Sequence, residues 1–194
     1  MMELFKPTFM TEFFDPGIMY LIILPLVAVL SLAGAYFLLK VKRENLRDAE
    51  KIPRAQIPGA ILGLIDLLWC IPNTMPILPE SLHKFLLPLA IILAILSYIA
   101  LDHLLSRAIG GFMILTAHFF LKESYGAPVP GAMIFAICCF IFGTIGIFIS
   151  GKPHLIRDII RLGTGRWRLV MPVFLILFAA VSLMTFAFQF TGKN

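Results

Sequence analysis

The sequence predicts an all-α fold, a polytopic transmembrane helical bundle of about six spans forming one integral membrane domain with no soluble domain. Three observations carry that expectation. Hydrophobic residues make up 60% of the 194-residue chain and charged residues only 14%. The mean hydropathy is +0.95. The charges gather in short stretches, which leaves 18–39, 86–101, 132–149 and 169–188 without any. Hydrocarbon offers no water to unpaired backbone groups, so apolar runs of this length cross as helices. A soluble domain of this size buries a good core with far less apolar sequence, and the excess has to face lipid.

The first span is read at 17–39, long enough to cross with some tilt, with Pro25 placed to bend its first turns. The segment before it, MMELFKPTFMTEFFDPG, is acidic and has neither the basic start nor the small-residue cleavage site of a signal peptide, so the span is expected to stay. Phe5, Phe9, Phe13 and Phe14 are expected to rest on the outer interface. The polar stretch 40–55 holds good helix formers, and Lys40 and Glu44 stand at i,i+4 spacing. It is expected to prolong the first helix as far as Pro53.

The second span, 58–78, opens at Pro58, a favoured first helical position, and reads as clean helix only to Cys70. Beyond it, Pro72, Pro76 and Pro79 remove amide donors and push their predecessors towards extended geometry. Asn73 and Thr74 then either line a small outer cavity or belong to a rigid outer loop. The third span is read at 84–103. The fourth, 107–121, would rise only about 22 Å against a hydrocarbon core of about 30 Å. Arg107 and Lys122 would have to snorkel from its ends. The fifth is read at 131–150 and the sixth at 169–190. Between them, 153–162 alternates Leu155, Ile156, Ile159 and Ile160 with Arg157, Asp158 and Arg161. That pattern predicts a short amphipathic helix at the inner headgroups, stopped by Gly163 and Gly165, with Trp167 as interface anchor.

Basic residues set the expected orientation. Lys40, Lys42, Arg43, Arg47, Lys51 and Arg54 follow the first span, and Lys152, Arg157, Arg161, Arg166 and Arg168 follow the fifth. The positive-inside bias makes loops 40–56 and 151–168 cytoplasmic, so an even number of crossings separates them and 107–121 has to be one. Both termini then lie outside. Twelve basic residues fall inside and Lys6, Lys84, Lys122 and Lys193 outside. Short loops suit a bacterial inner (cytoplasmic) membrane. The net charge of +5 is accounted for by this flanking pattern, which excludes nucleic acid as the partner.

The polar residues inside the spans are the candidate sites. Asp66 lies about 12 Å in from Pro58 and His118 about 16 Å in from Arg107, both on spans that start from the inner side. A carboxylate–imidazole contact would satisfy both groups, as a proton or cation relay or as a structural clasp between helices. Asp102, His103 and Arg107 form an inner-face cluster, read either as a solvated turn with a local ion pair or as a gate or anionic-headgroup site.

No catalytic motif is present: the serines lack a GxSxG setting, there is no HExxH, and GlyThrGly at 163–165 lacks a phosphate loop's length and lysine. Cys70, Cys138 and Cys139 make neither a metal motif nor a disulfide framework and read as packing residues. No two of His83, His103, His118 and His154 stand level on facing spans, so neither haem nor another cofactor or metal is expected. Gly59/Gly63, Gly110/Gly111 and Gly143/Gly146 predict close helix packing or a subunit interface. No internal repeat supports an inverted-repeat transporter. The functional expectation is therefore a non-catalytic membrane subunit or assembly component, partnered by the bilayer and by another protein or a second copy. The alternatives are a small oligomeric transporter or channel built on Asp66 and His118, and an intramembrane enzyme acting on lipid through Asp102, His103 and Arg107.

Overall fold

The computed structural model describes residues 16–126, 132–162, 165 and 168–191, almost all helical. In chain order they form α1 (Pro16–Lys40), α2 (Leu46–Ala49), α3 (Gln56–Thr74), α4 (Glu80–Ala100), α5 (Leu104–Gly126), α6 (Ala132–Gly151), α7 (His154–Leu162) and α8 (Val170–Thr191). Short 3-10 turns at Arg43–Asn45 and Ile52–Arg54 flank α2. Among the described residues, α1, α3, α4, α5, α6 and α8 are long and apolar enough to cross a membrane. The protein is an all-α integral membrane protein. The predicted positions of Phe5, Phe9, Phe13, Phe14, Gly163 and Trp167 lie outside the described residues.

The expected short fourth span is a full-length helix. α5 runs for 23 residues, about 34 Å, because nothing at Leu104–Ser106 or from Lys122 to Tyr125 stops a helix. Snorkelling is not needed to close a length deficit. The expected break at Pro72 is also absent. α3 continues through Pro72 to Thr74, and the turn falls at residues 75–79 around Pro76 and Pro79. Thr74 Oγ1 donates to the Cys70 carbonyl at 2.7 Å and Asn73 Nδ2 to the Trp69 carbonyl at 3.1 Å. These side chains are tied to their own helix. His83 secures the turn: its Nε2 stands 2.9 Å from the Met75 carbonyl and 3.0 Å from that of Leu78, where an N–H donates to both.

α1 does not extend to Pro53. It ends at Lys40, the chain passes through an extended Lys42 (φ −112°, ψ 164°), and α2 folds back. The gain is burial: Leu38, Val41 and Ala49 close over Ile160 of α7. Burying such side chains outweighs an i,i+4 Lys40–Glu44 pair worth a few tenths of a kcal/mol. Lys40 instead sits over the Tyr36 ring, 5.5 Å from its centre. α7 is amphipathic as predicted, but Ile156, Ile159 and Ile160 face protein rather than headgroups.

Both basic loops lie at one end of the bundle and hold each other there. Arg161 grips Glu50 with two donors, Nε to Oε1 at 2.6 Å and Nη2 to Oε2 at 3.3 Å. That hydrogen bond holds the Glu50 carboxyl below the ordinary glutamate range, aided by the charges of Arg161, Arg157 and Arg54 and opposed by partial desolvation. Arg168 donates to the Leu39 carbonyl at the end of α1.

The long helices form two groups. α5 packs against α3 on one side and α6 on the other, while α1 pairs with α8. Glycines set the closest approaches. A Cβ on Gly110 would come within 2.7 Å of the Gly146 carbonyl oxygen, and one on Gly59 within 2.4 Å of the Leu105 nitrogen. Backbone therefore meets backbone at both contacts. The groups join through Leu24 and Val27 of α1, Phe120 of α5, Phe135 and Phe142 of α6 and Phe178 of α8, with Phe142 and Phe178 stacked at 4.3 Å. Trp69 of α3 lies between Phe112 and Phe119 of α5, 5.9 Å from each ring. Among the long helices α4 packs mainly on α3, and Ala90 is its one buried residue.

Candidate functional site

Small side chains bring α3 against α5 in a parallel register. Gly59 meets Leu104 and Leu105, Gly63 meets Ala108, and Asp66 meets Gly111. The same small residues leave space on the side where α4 leans on α3. A cavity of about 330 Å³ opens there, with Gly59, Ala60, Gly63, Asp66 and Leu67 of α3, Ala94 and Ser97 of α4, and Leu104, Arg107 and Ala108 of α5 in its wall. Ser150, near the end of α6, completes it.

Asp66 is 8% exposed, and its Oδ1 has no hydrogen-bond partner. It is admitted by Gly111, where a Cβ would stand 3.1 Å from Oδ2. A charge at such depth is costly unless a partner, water or a proton relieves it. Arg107 enters the cavity from α5. Its Nη1 donates to the Ser150 carbonyl at 3.4 Å, as a cation placed at the C-terminal end of α6 should. Its Nε is buried without a partner. No ion pair joins Arg107 to Asp66 among the described residues. Arg107 stands one turn before Gly111, so the two residues are offset by about 6 Å along the helices.

The expected contact of Asp66 with His118 is not made, although α3 and α5 do pack. His118 is exposed on α5, two turns beyond Gly111 and so about 10 Å past the level of Asp66. Pro58 and Arg107 are not level: the contact of Gly59 with Leu104 and Leu105 sets Arg107 about one turn deeper than Pro58 and carries His118 deeper with it.

The three side chains of the inner-face cluster, Asp102, His103 and Arg107, do not pair with one another among the described residues. Asp102 is exposed in the turn. His103 adopts φ 58°, the left-handed conformation that lets the chain reverse between α4 and α5. Its Nδ1 is buried without a partner. Arg107 keeps a backbone hydrogen bond to the His103 carbonyl and also lines the cavity that Asp66 lines.

By sequence alone Asp66 and Arg107 fall in different candidate sites. The available signal was the small-residue face Gly59, Ala60 and Gly63, which points α3 at α5 and sets the register that brings them together. A second cavity of about 300 Å³, between Leu38, Ile159, Leu162, Met171 and Pro172, is apolar apart from Arg168 at its edge. Among the described residues, no three histidine, cysteine, aspartate or glutamate side chains converge as a metal site requires. Comparison with protein-family models, with curated proteins and with solved structures gives no match.

Proposed function

We propose that this protein is a small carrier-type membrane protein that admits a polar solute to the cavity between α3, α4 and α5. The observation that carries the reading is that Asp66, whose carboxylate has no partner, and Arg107, whose guanidinium is incompletely satisfied, both line one cavity. Buried polar groups are ordinarily paired, and groups left open in a cavity are suited to a ligand. The arrangement replaces the expected Asp66–His118 pair with Asp66 and Arg107. The test is saturable, cavity-dependent binding. The melting midpoint of the purified protein should rise with at least one of β-alanine, glycerophosphoethanolamine, inorganic phosphate, acetate or ethylammonium. The solute that binds should accumulate in proteoliposomes, and Ala94→Leu should remove both responses by filling the space. A panel with no binder and no uptake would end the carrier reading.

In this reading the chain crosses a bacterial inner membrane six times, with loops 40–56 and 151–168 cytoplasmic and both termini outside. The joined basic loops support it, because the positive-inside bias then acts on one face. Single cysteines at Asp48 and Asp158, in a variant lacking Cys70, Cys138 and Cys139, should be protected from a membrane-impermeant maleimide in sealed cells and react after permeabilisation. Reaction at both in sealed cells would reverse the orientation.

A second reading, a non-catalytic membrane subunit or assembly component, is favoured by the thin attachment of α4, whose Ile91, Ile92, Ile95 and Ile99 are all exposed. It predicts a fixed protein partner, or a second copy, retained through purification from native membrane. Recovery of a single free chain under gentle detergent would remove it.

A further inference from the structure

We propose that the ligand of the α3–α4–α5 cavity is a short zwitterion, with an ammonium group directed to Asp66 and an anionic group directed to Arg107. The inference rests on the carrier reading above and names its substrate class.

The two open groups have opposite demands. Asp66 offers only acceptors and Arg107 only donors; Asp66 Oδ1 has no donor and Arg107 Nε–H no acceptor, and because both atoms are closed to solvent, Oδ2 and the terminal guanidinium nitrogens are the atoms left to a ligand. No ion pair lets them satisfy each other, and they are staggered by about one helical turn. A solute carrying one charge would complete one end of the cavity and leave the other open. A solute carrying both completes the two together and brings no net charge into the membrane, where net charge is penalised most. The cavity, at about 330 Å³, lies at the lower end of the range of ligand pockets, which suits a molecule of a few heavy atoms. Ser97 and the backbone near Ser150 add neutral polar groups to the wall. Gly111 supports the site from behind, because its missing side chain lets the Asp66 carboxylate sit against α5.

The same chemistry, an ammonium a few bonds from an anion, occurs in free ω-amino acids and in the phosphoethanolamine headgroup of a lipid. The experiment separates these sources. Melting midpoints of the purified full chain are measured against β-alanine and glycerophosphoethanolamine, against single-charge probes (inorganic phosphate, acetate, ethylammonium), and in nanodiscs of phosphatidylcholine with or without phosphatidylethanolamine. The expected result is a saturable rise with the zwitterions and little with the single-charge probes. Asp66→Asn and Arg107→Gln should each weaken the response about tenfold or more, since each removes a hydrogen bond to a charged group. A rise with the free zwitterions assigns the site to a soluble solute. A rise only with phosphatidylethanolamine, whose ammonium has the N–H donors that phosphatidylcholine lacks, assigns it to a headgroup. Ala94→Leu keeps both charged residues and should abolish either response, which guards against a variant that fails merely by misfolding.

Single-charge probes that match the zwitterions would overturn this inference and leave the carrier reading standing. No response to any probe would remove both. A zwitterion response unchanged in Asp66→Asn would also overturn the inference.

Discussion

Gly146→Val is expected to abolish a monodisperse, folded protein, while Gly151→Val on the same helix leaves its behaviour unchanged. The difference lies in what an added Cβ would meet. At Gly146 it would come within 2.8 Å of the Gly110 carbonyl oxygen and of Met113 Cβ, and at Gly151 it would meet nothing within 4 Å. The carbonyl is backbone and cannot swing aside, so α5 and α6 would have to separate along their most extensive contact. Overpacking costs about 1–3 kcal/mol where side chains can adjust, and a backbone partner puts this site at or above the top of that range. Fluorescence-detected size exclusion and melting in detergent would read the effect. A Gly146→Val protein that melts with the parent would show that α5 and α6 do not meet through these glycines.

Asp66→Asn is expected to stabilise the ligand-free protein, by about 1–2 kcal/mol, while removing solute binding. The substitution keeps the side chain's shape beside Gly111, where space is tight, and removes a charge that is 8% exposed and has no donor at Oδ1. A stability gain coupled to a loss of function is the pattern of a residue kept for its chemistry. The measurement is the melting midpoint without added solute. A lower midpoint for Asp66→Asn would mean that the carboxylate has a structural donor after all, and the binding role of the cavity would go with it.

The two predictions depend on different kinds of information. The membrane class, six apolar helices and the amphipathic 153–162 segment were legible because they follow from composition and from periodicity within single segments. The basic clusters were legible for the same reason, and the Glu50–Arg161 bond shows the two loops sharing one end of the bundle. Helix ends were read less well. Charges at Arg107 and Lys122 and the proline at 72 looked like boundaries, yet α5 runs past both charges and α3 through Pro72. A helix ends where the chain finds a better use for its backbone, and that choice depends on neighbours the local sequence does not contain.

The candidate site was half legible. Asp66 stood out as a carboxylate in an apolar span, and Arg107 as a cation at a span's edge. Their shared cavity did not, because it depends on the register of α3 against α5. That register is set by contacts at Gly59, Gly63 and Gly111 between residues far apart in the chain. His118 was the natural partner by depth alone, but depth is one coordinate; the face of the helix is another, and His118 is on the exposed one.

Hydrophobicity is a property of each segment, so the amino-acid order alone settled that this chain belongs in a bilayer and which stretches are helical. Which helix lies beside which, and how far each slides along the other, came only from the packed bundle. A slide of one turn costs a single helix nothing, but it decides whether a carboxylate faces a glycine, a guanidinium or lipid.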